Sequence, residues 1–223
     1  MYEWLLQQKA DRALRSLGTE LRGATAVVAC GGSGMDADFL VARGARVIST
    51  DISLGAARRA QERARRFGMP ILSVVAAAEG LPLADRTVDL SYVHDGLHHL
   101  EDPFQALDEL ARVASRWVSV TEPAKALATD IAVRAGWALE REEAGNVVRR
   151  MTAAETLGRL RISGFQPLHC ERYAMYYRHE PGRVIRLLSL PMLLPLVKLG
   201  WRAANVVLGR VGNKLVVVGR RVS

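Results

Sequence analysis

The chain has 223 residues, of which 49% are hydrophobic and 6% aromatic, and a formal net charge of +8. That length suits one α/β domain with a modest extension, residues 1–223 as a single unit, and the composition excludes a disordered chain. The positive excess is almost wholly arginine, because lysine occurs only at Lys9, Lys125, Lys198 and Lys214. The arginines are spread along the chain without interleaved aromatics, a pattern of solvated helix faces that argues against a nucleic-acid surface.

Residues 1–18 carry Trp4, Leu5, Leu14 and Leu17 at the spacing of a short amphipathic helix, and show no secretory pattern. A cytoplasmic location is the expectation. Cys30 and Cys170 form neither a disulfide framework nor a metal-ligand spacing. The apolar run Ala26 to Ala29 predicts a first strand, entering a turn of Gly31, Gly32, Ser33 and Gly34. A helix through Phe39, Leu40 and Val41 follows, then a turn at Gly44 and a second strand ending in Asp51. Glycines after a first parallel strand let the backbone approach a ligand and open a helix toward it. A carboxylate closing the second strand is placed for a ribose diol. Together they imply a nucleotide-like cofactor.

Ser53 caps a helix reaching about Arg66, stopped by Gly68 and Pro70. Ile71 to Val75 reads as a third, buried strand, and Val88 to Val93 as a fourth. Asp102-Pro103 starts a helix with the stripe Phe104, Leu107, Leu110 and Ala111, ending near Ser115. Trp117 to Thr121 is a fifth strand. Residues 124–144 read as helical. Thr152 and Glu155 form a capping box for a helix to Arg161, followed by a long strand from Phe165 to Arg178 with Tyr173, Tyr176 and Tyr177. Residues 213–220 supply the last strand. Strands alternating with helices require an α/β doubly wound sheet, whose ligands bind beyond the strand carboxyl ends.

With these residues in order, the chain resembles the class I S-adenosylmethionine-dependent methyltransferases of the small-molecule branch. The resemblance rests on the glycine turn, Asp51-Ile52-Ser53, Glu79-Gly80-Leu81-Pro82-Leu83 and Val88-Asp89-Leu90. It continues through Leu97-His98-His99-Leu100 before Asp102-Pro103, then Glu143 to Asn146, the Ser163-Gly164-Phe165 turn and the final strand. It implies a Rossmann-like sheet of seven strands, helices on both faces, with the last strand antiparallel beside the sixth. It also implies S-adenosyl-L-methionine as cofactor and a small-molecule acceptor. Carried over by position, Cys30 and Gly31 belong to the cofactor-binding turn, Gly32 and Gly34 give close backbone contact with the methionine part of the cofactor, Asp51 binds the ribose, and Ile52 packs on the adenine. Ala78 and Glu79 border the adenine edge, and His94 lies beside the sulfonium and the acceptor. The chain departs from the family at Val28 and Cys30, where an acidic residue and a glycine are usual, and at Ala77, where an Asp is frequent. A Pro-Gly-Gly turn is absent between Val113 and Trp117. Each lost charge-assisted bond is worth about 1.5–3 kcal/mol, and Asp36 is a candidate substitute.

Methyl transfer from a sulfonium is an in-line displacement, so positioning supplies most of its acceleration. A hydroxyl or amine acceptor also needs a base, and His94, His98 and His99 are the candidates, with Asp95 or Glu101 orienting. The competing reading is that the paired histidines cap the helix start. A metal at His94, Asp95 and His98 matches no established ligand spacing, so none is expected. Glu122 either holds a loop or faces the substrate.

Residues 183–212 form an apolar helical insertion between the last two strands, broken by Pro191, Pro195, Lys198 and Arg202. Lys198, Arg202 and Asn205 cluster on one narrow face. The insertion could pack on the domain as a lid over an apolar acceptor, form a dimer contact, or lie on a membrane surface through residues 187–208. Two alternatives to methyl transfer stay open. Gly32 to Ala37 also satisfies the dinucleotide spacing of an NAD(P)-dependent oxidoreductase, and the altered polar positions suit a non-catalytic binding protein of the same fold.

Overall fold

The computed structural model describes residues 1–125, 149–175 and 183–222. The expected helix over 124–144, the stretch Glu143 to Asn146, and Tyr176 to Arg178 lie outside the described residues, apart from Ala124 and Lys125.

Seven strands form one sheet: β1 (Thr25–Ala29), β2 (Arg46–Asp51), β3 (Ile71–Val75), β4 (Val88–His94), β5 (Ala114–Pro123), β6 (Phe165–Tyr173) and β7 (Lys214–Arg221). Their order is β3-β2-β1-β4-β5-β7-β6, with β7 antiparallel to both neighbours and the other described pairings parallel. The order reverses between β1 and β4, so their carboxyl ends open a crevice. Gly32, Asp51 and Asp95 follow or close strands at that edge.

Side chains alternate across the pleat and build two cores. On β1, Val27 and Ala29 join Leu107, Leu110, Val118 and Phe165. Ala26 and Val28 join Leu14, Leu40, Tyr92 and Trp117 on the other face. The first layer is closed by α4 (Pro103–Val113) and α5 (Ala153–Ile162), the second by α1 (Tyr2–Leu14) and α2 (Met35–Val41). Between β2 and β3 runs α3 (Leu54–Phe67), capped by Ser53 Oγ accepting from Ala56 N and ended by Gly68 at φ 61°. Asp102 caps α4 by accepting from the amides of Phe104 and Gln105, and Thr152 and Glu155 form the expected capping box on α5.

Several boundaries differ from expectation. β3 is not buried; it is the sheet edge, where Leu72 and Val75 are exposed and no strand among the described residues lies beyond it. The stripe of α4 runs straight into β5 at Ala114, without an intervening loop. The amino-terminal helix ends at Leu14 and continues as a 3₁₀ segment, Arg15–Leu21, bent at Gly18 where φ is 52°. β6 ends at Tyr173 within the described residues.

The insertion is helical, with α6 (Arg183–Leu188) and α7 (Leu194–Leu208) before β7. Its contact with the core is through Trp201, which packs partly buried against the second layer. No residue of α7 is buried, and Lys198 and Asn205 of its narrow polar face lie against the domain. Asn205 bonds both the amide and the carbonyl of Ala174, satisfying backbone just past β6. Trp201 meets Trp4 edge-on at 5.1 Å.

Candidate active site

The turn leaving β1 is built from left-handed backbone. Cys30, Gly32 and Gly34 have φ of 53°, 55° and 84°. Glycine takes that conformation without strain, whereas Cys30 does not, which explains the family's usual glycine there. Gly31 N donates to Thr50 O at 2.8 Å, and a Cβ at Gly31 would stand 2.3 Å from Ser49 Oγ. A Cβ at Gly32 would meet nothing within 4 Å, so the backbone there borders open space.

Asp51 closes this turn. Its Oδ2 accepts from Gly32 N at 2.9 Å and its Oδ1 from Ser53 N at 2.8 Å. A carboxylate has about four acceptor sites, so capacity remains for two hydroxyls. Ile52 beside it is 76% exposed, a large apolar side chain at a strand end. Ala78 is buried, and the carbonyl of Glu79 accepts from Gln105 Nε2 at 3.3 Å. Arg112 on α4 fixes the following loop by donating to the carbonyls of Leu81 and Leu83 and to Asp85 and Glu109.

The crevice is acidic within a basic protein. Burial pushes the Cys30 thiol up to about 12, and the carboxylates of Glu122, Asp51 and Glu79 add to the shift. Cys30 is therefore a neutral packing group, its Cβ set against Gly96 on the β4 side. Asp36 and Asp38 occupy the first turn of α2, where a dinucleotide would place its pyrophosphate. Burial raises Asp36 to about 6; Lys9 opposes the rise, while Asp95 and Asp38 reinforce it. Exposed acceptors, an apolar shelf and a negative field fit a cofactor with a diol, a flat ring and a sulfonium charge. They do not suit a diphosphate.

The structure separates the three histidines. His94 is buried; its Nδ1 lies 3.0 Å from Tyr92 Oη, and its Nε2 has no hydrogen-bond partner among the described residues and sits 3.7 Å from Asp95 Oδ2. Burial, with Lys9 and Lys214 nearby, holds its pKa well below the ordinary histidine value. His98 is buried with Nδ1 2.7 Å from Glu122 Oε2. His99 is exposed, its ring 4.0 Å from that of His98. The partner of His98 is thus Glu122, and neither Asp95 nor Glu101 takes that place. Glu122 also accepts from the amides of Gly96 and Leu97 at 2.9 and 2.8 Å, so it holds the loop.

Asp95, at φ 52°, is gripped by Lys9 at 3.1 Å and by Lys214 at 2.5 Å. Burial favours its neutral form, but Lys214, His94 and Lys9 prevail and hold it well below the usual carboxylate range. Asp95, His98 and Glu122 bring ligand-type atoms within 4.8 Å of one another. Their carboxylates are already committed to two lysines and to turn amides, which accounts for the cluster structurally. The Lys9–Asp95–Lys214 clamp was not foreseen. The scarcity of lysine, with two of four on one carboxylate, is the signal that marks it.

Residues 27–116 match a family model described as a methyltransferase domain. The demethylmenaquinone methyltransferase of Thermobifida fusca is 40% identical over 83 residues, which are 37% of this chain and 35% of that enzyme. The match thus spans about a third of that curated relative. Magnesium protoporphyrin IX methyltransferase from Synechocystis, solved with SAH, superposes at a TM-score of 0.68 with 19% identity, covering 98% of this chain and 84% of the other. The [4+2]-cyclase SpnF superposes at 0.64 with 19% identity, covering 96% and 80%. At that identity the structural likeness carries the fold. Residues 27–116 are thus similar to a methyltransferase domain, and the sheet as a whole has the fold of the methyltransferases on which it superposes.

Proposed function

We propose that the chain transfers a methyl group from S-adenosylmethionine to a small, apolar acceptor. The observation that carries this reading is the pairing of Asp51 with the Gly32 amide at the mouth of an acidic crevice. In this reading Gly31, Gly32 and Gly34 admit the methionine part, Asp51 takes the diol, and Ile52, Ala78 and Glu79 enclose the ring. When bound, the cofactor supplies a methyl group on a positively charged sulfur. The chain's own contribution is alignment, exclusion of water and a field of the right sign.

Among the histidines we assign the base to His94. Its depressed pKa keeps it neutral at pH 7, and its Nε2 carries no hydrogen bond from the described residues, so it can take a proton from a hydroxyl or amine acceptor. His98, held by Glu122, positions the turn that frames it. An apolar acceptor is supported by the insertion, which rises from the same sheet edge, and by relatives named for demethylmenaquinone and magnesium protoporphyrin IX. Titration calorimetry with S-adenosylhomocysteine and NAD tests the cofactor; binding of NAD alone would overturn it. A labelled-methyl screen over hydroxyl, amine and carbon acceptors tests the reaction, and product analysis assigns the atom. Cofactor binding with no transfer to any acceptor would favour a non-methylating member, as the cyclase shares the fold.

A further inference from the structure

The helix α7 is turned inside out. Its polar side chains Lys198 and Asn205 lie toward the domain, against Trp4 and Ala174, beside the inward Trp201. At 100° per residue the opposite face carries Leu196, Leu199, Ala203, Val206 and Val207. Leu196, Leu199, Val206 and Val207 are 67%, 64%, 86% and 77% exposed. Met192 and Leu187, just before the helix, are exposed as well. A surface helix ordinarily buries its apolar stripe, so a contiguous patch turned outward marks a contact surface.

Charge identifies what covers it. From Pro181 to the final Ser223 the chain contains no Asp or Glu, while residues 183–212 include Arg183, Arg186, Lys198, Arg202 and Arg210. Arg202 borders the apolar face, and Arg210 is exposed just beyond the helix. An apolar face rimmed by cations, in a segment whose sequence holds no carboxylate side chain, complements an anionic lipid surface. The helix has 15 residues, about 22 Å long, too short for a hydrocarbon core of about 30 Å. No described helix is long and apolar enough to cross a membrane. The favoured placement is in the plane of the interface.

The topology ties this surface to the crevice. Tyr173 and Pro123 both pair with Lys214, so the insertion springs from the carboxyl edge of the sheet, where Asp51 and Asp95 also lie. We propose that the outward face of α7 docks the protein on anionic bilayers, with the crevice edge toward the membrane. Docking itself does not depend on the methyl-transfer reading, because its test reads lipid binding without turnover.

Full-length protein is sedimented with phosphatidylcholine vesicles, with and without one third phosphatidylglycerol, at low and high salt. The expected result is binding to the anionic vesicles, at least tenfold weaker on neutral ones and weakened by salt. Leu199→Gln/Val206→Gln and Arg202→Glu/Arg210→Glu should each reduce it at least tenfold, while near-ultraviolet dichroism stays unchanged. No binding to anionic vesicles would overturn the proposal. So would a concentration-dependent dimer abolished by Leu199→Gln/Val206→Gln without lipid binding, which would give the face to a second copy of the chain.

Discussion

His98 and Glu122 meet at 2.7 Å, both buried, across 24 residues of sequence. Glu122 has no exposed surface and stands on β5, while His98 sits on the turn after β4. The same carboxylate accepts from the Gly96 and Leu97 amides, so one side chain sets the turn and the imidazole together. Buried amides without an acceptor are costly, which makes this carboxylate a structural centre of the crevice.

Glu122→Ala should therefore lower unfolding stability by about 3 kcal/mol, the scale of several orphaned buried donors. Glu122→Gln, which keeps one oxygen for the amides, should recover about a third of that loss. Urea denaturation checks both. Equal losses in the two variants would mean that the amides find other acceptors.

Asp51→Asn should weaken binding of S-adenosylhomocysteine by about tenfold to a hundredfold, since a charge-assisted bond is worth about 1.5–3 kcal/mol. Calorimetry gives the number. Unchanged affinity would remove Asp51 from the cofactor site.

His94 gives a pH signature. Its folded pKa lies below its unfolded value of about 6.5. The unfolded chain then binds more protons in the window below 6.5, so this group makes stability rise with pH there and fall on acidification. Asp36, raised to about 6, contributes the opposite slope between about 4 and 6. The comparison of wild type with His94→Asn isolates the histidine. The variant should gain stability relative to wild type as pH falls below 6.5, measured by urea melts at a series of pH values. Parallel curves would show that His94 titrates normally.

A Cβ at Gly96 would lie 2.5 Å from Cys30 Cβ. Gly96→Ala should cost about 2 kcal/mol or more, as overpacking of a tight site does. In a Cys30→Gly background the cost should fall by at least about 1 kcal/mol, a coupling expected only of direct contacts. Thermal melts of the four proteins complete the cycle, and simple additivity would refute the contact.

Arg112→Ala should release the loop from Leu81 to Arg86 while leaving the sheet intact. Faster amide exchange confined to residues 79–87, with weaker cofactor binding, is the expected pattern. Protection unchanged from wild type would show that the four Arg112 contacts do not hold the loop.

The periodicity and punctuation of the sequence determined most of the elements. Ser53, Asp102 and Thr152 cap where local hydrogen bonding requires it, and Gly68 stops α3, because these signals act within a few residues. The glycine turn and Asp51 were legible for the same reason, and the structure joins them through the Gly32 amide. Local pattern could not show that β3 is the edge of the described sheet, since that depends on which strands pair in the folded chain. Nor could it pair Lys9 and Lys214 with Asp95, or choose Glu122 for His98, because those partners lie 86, 119 and 24 residues away. The insertion makes the point most sharply. Its amphipathic pattern was plain from the residues, yet which face meets the protein was settled only by Trp4 and the backbone at Ala174, which took the polar side inward and left the apolar side out.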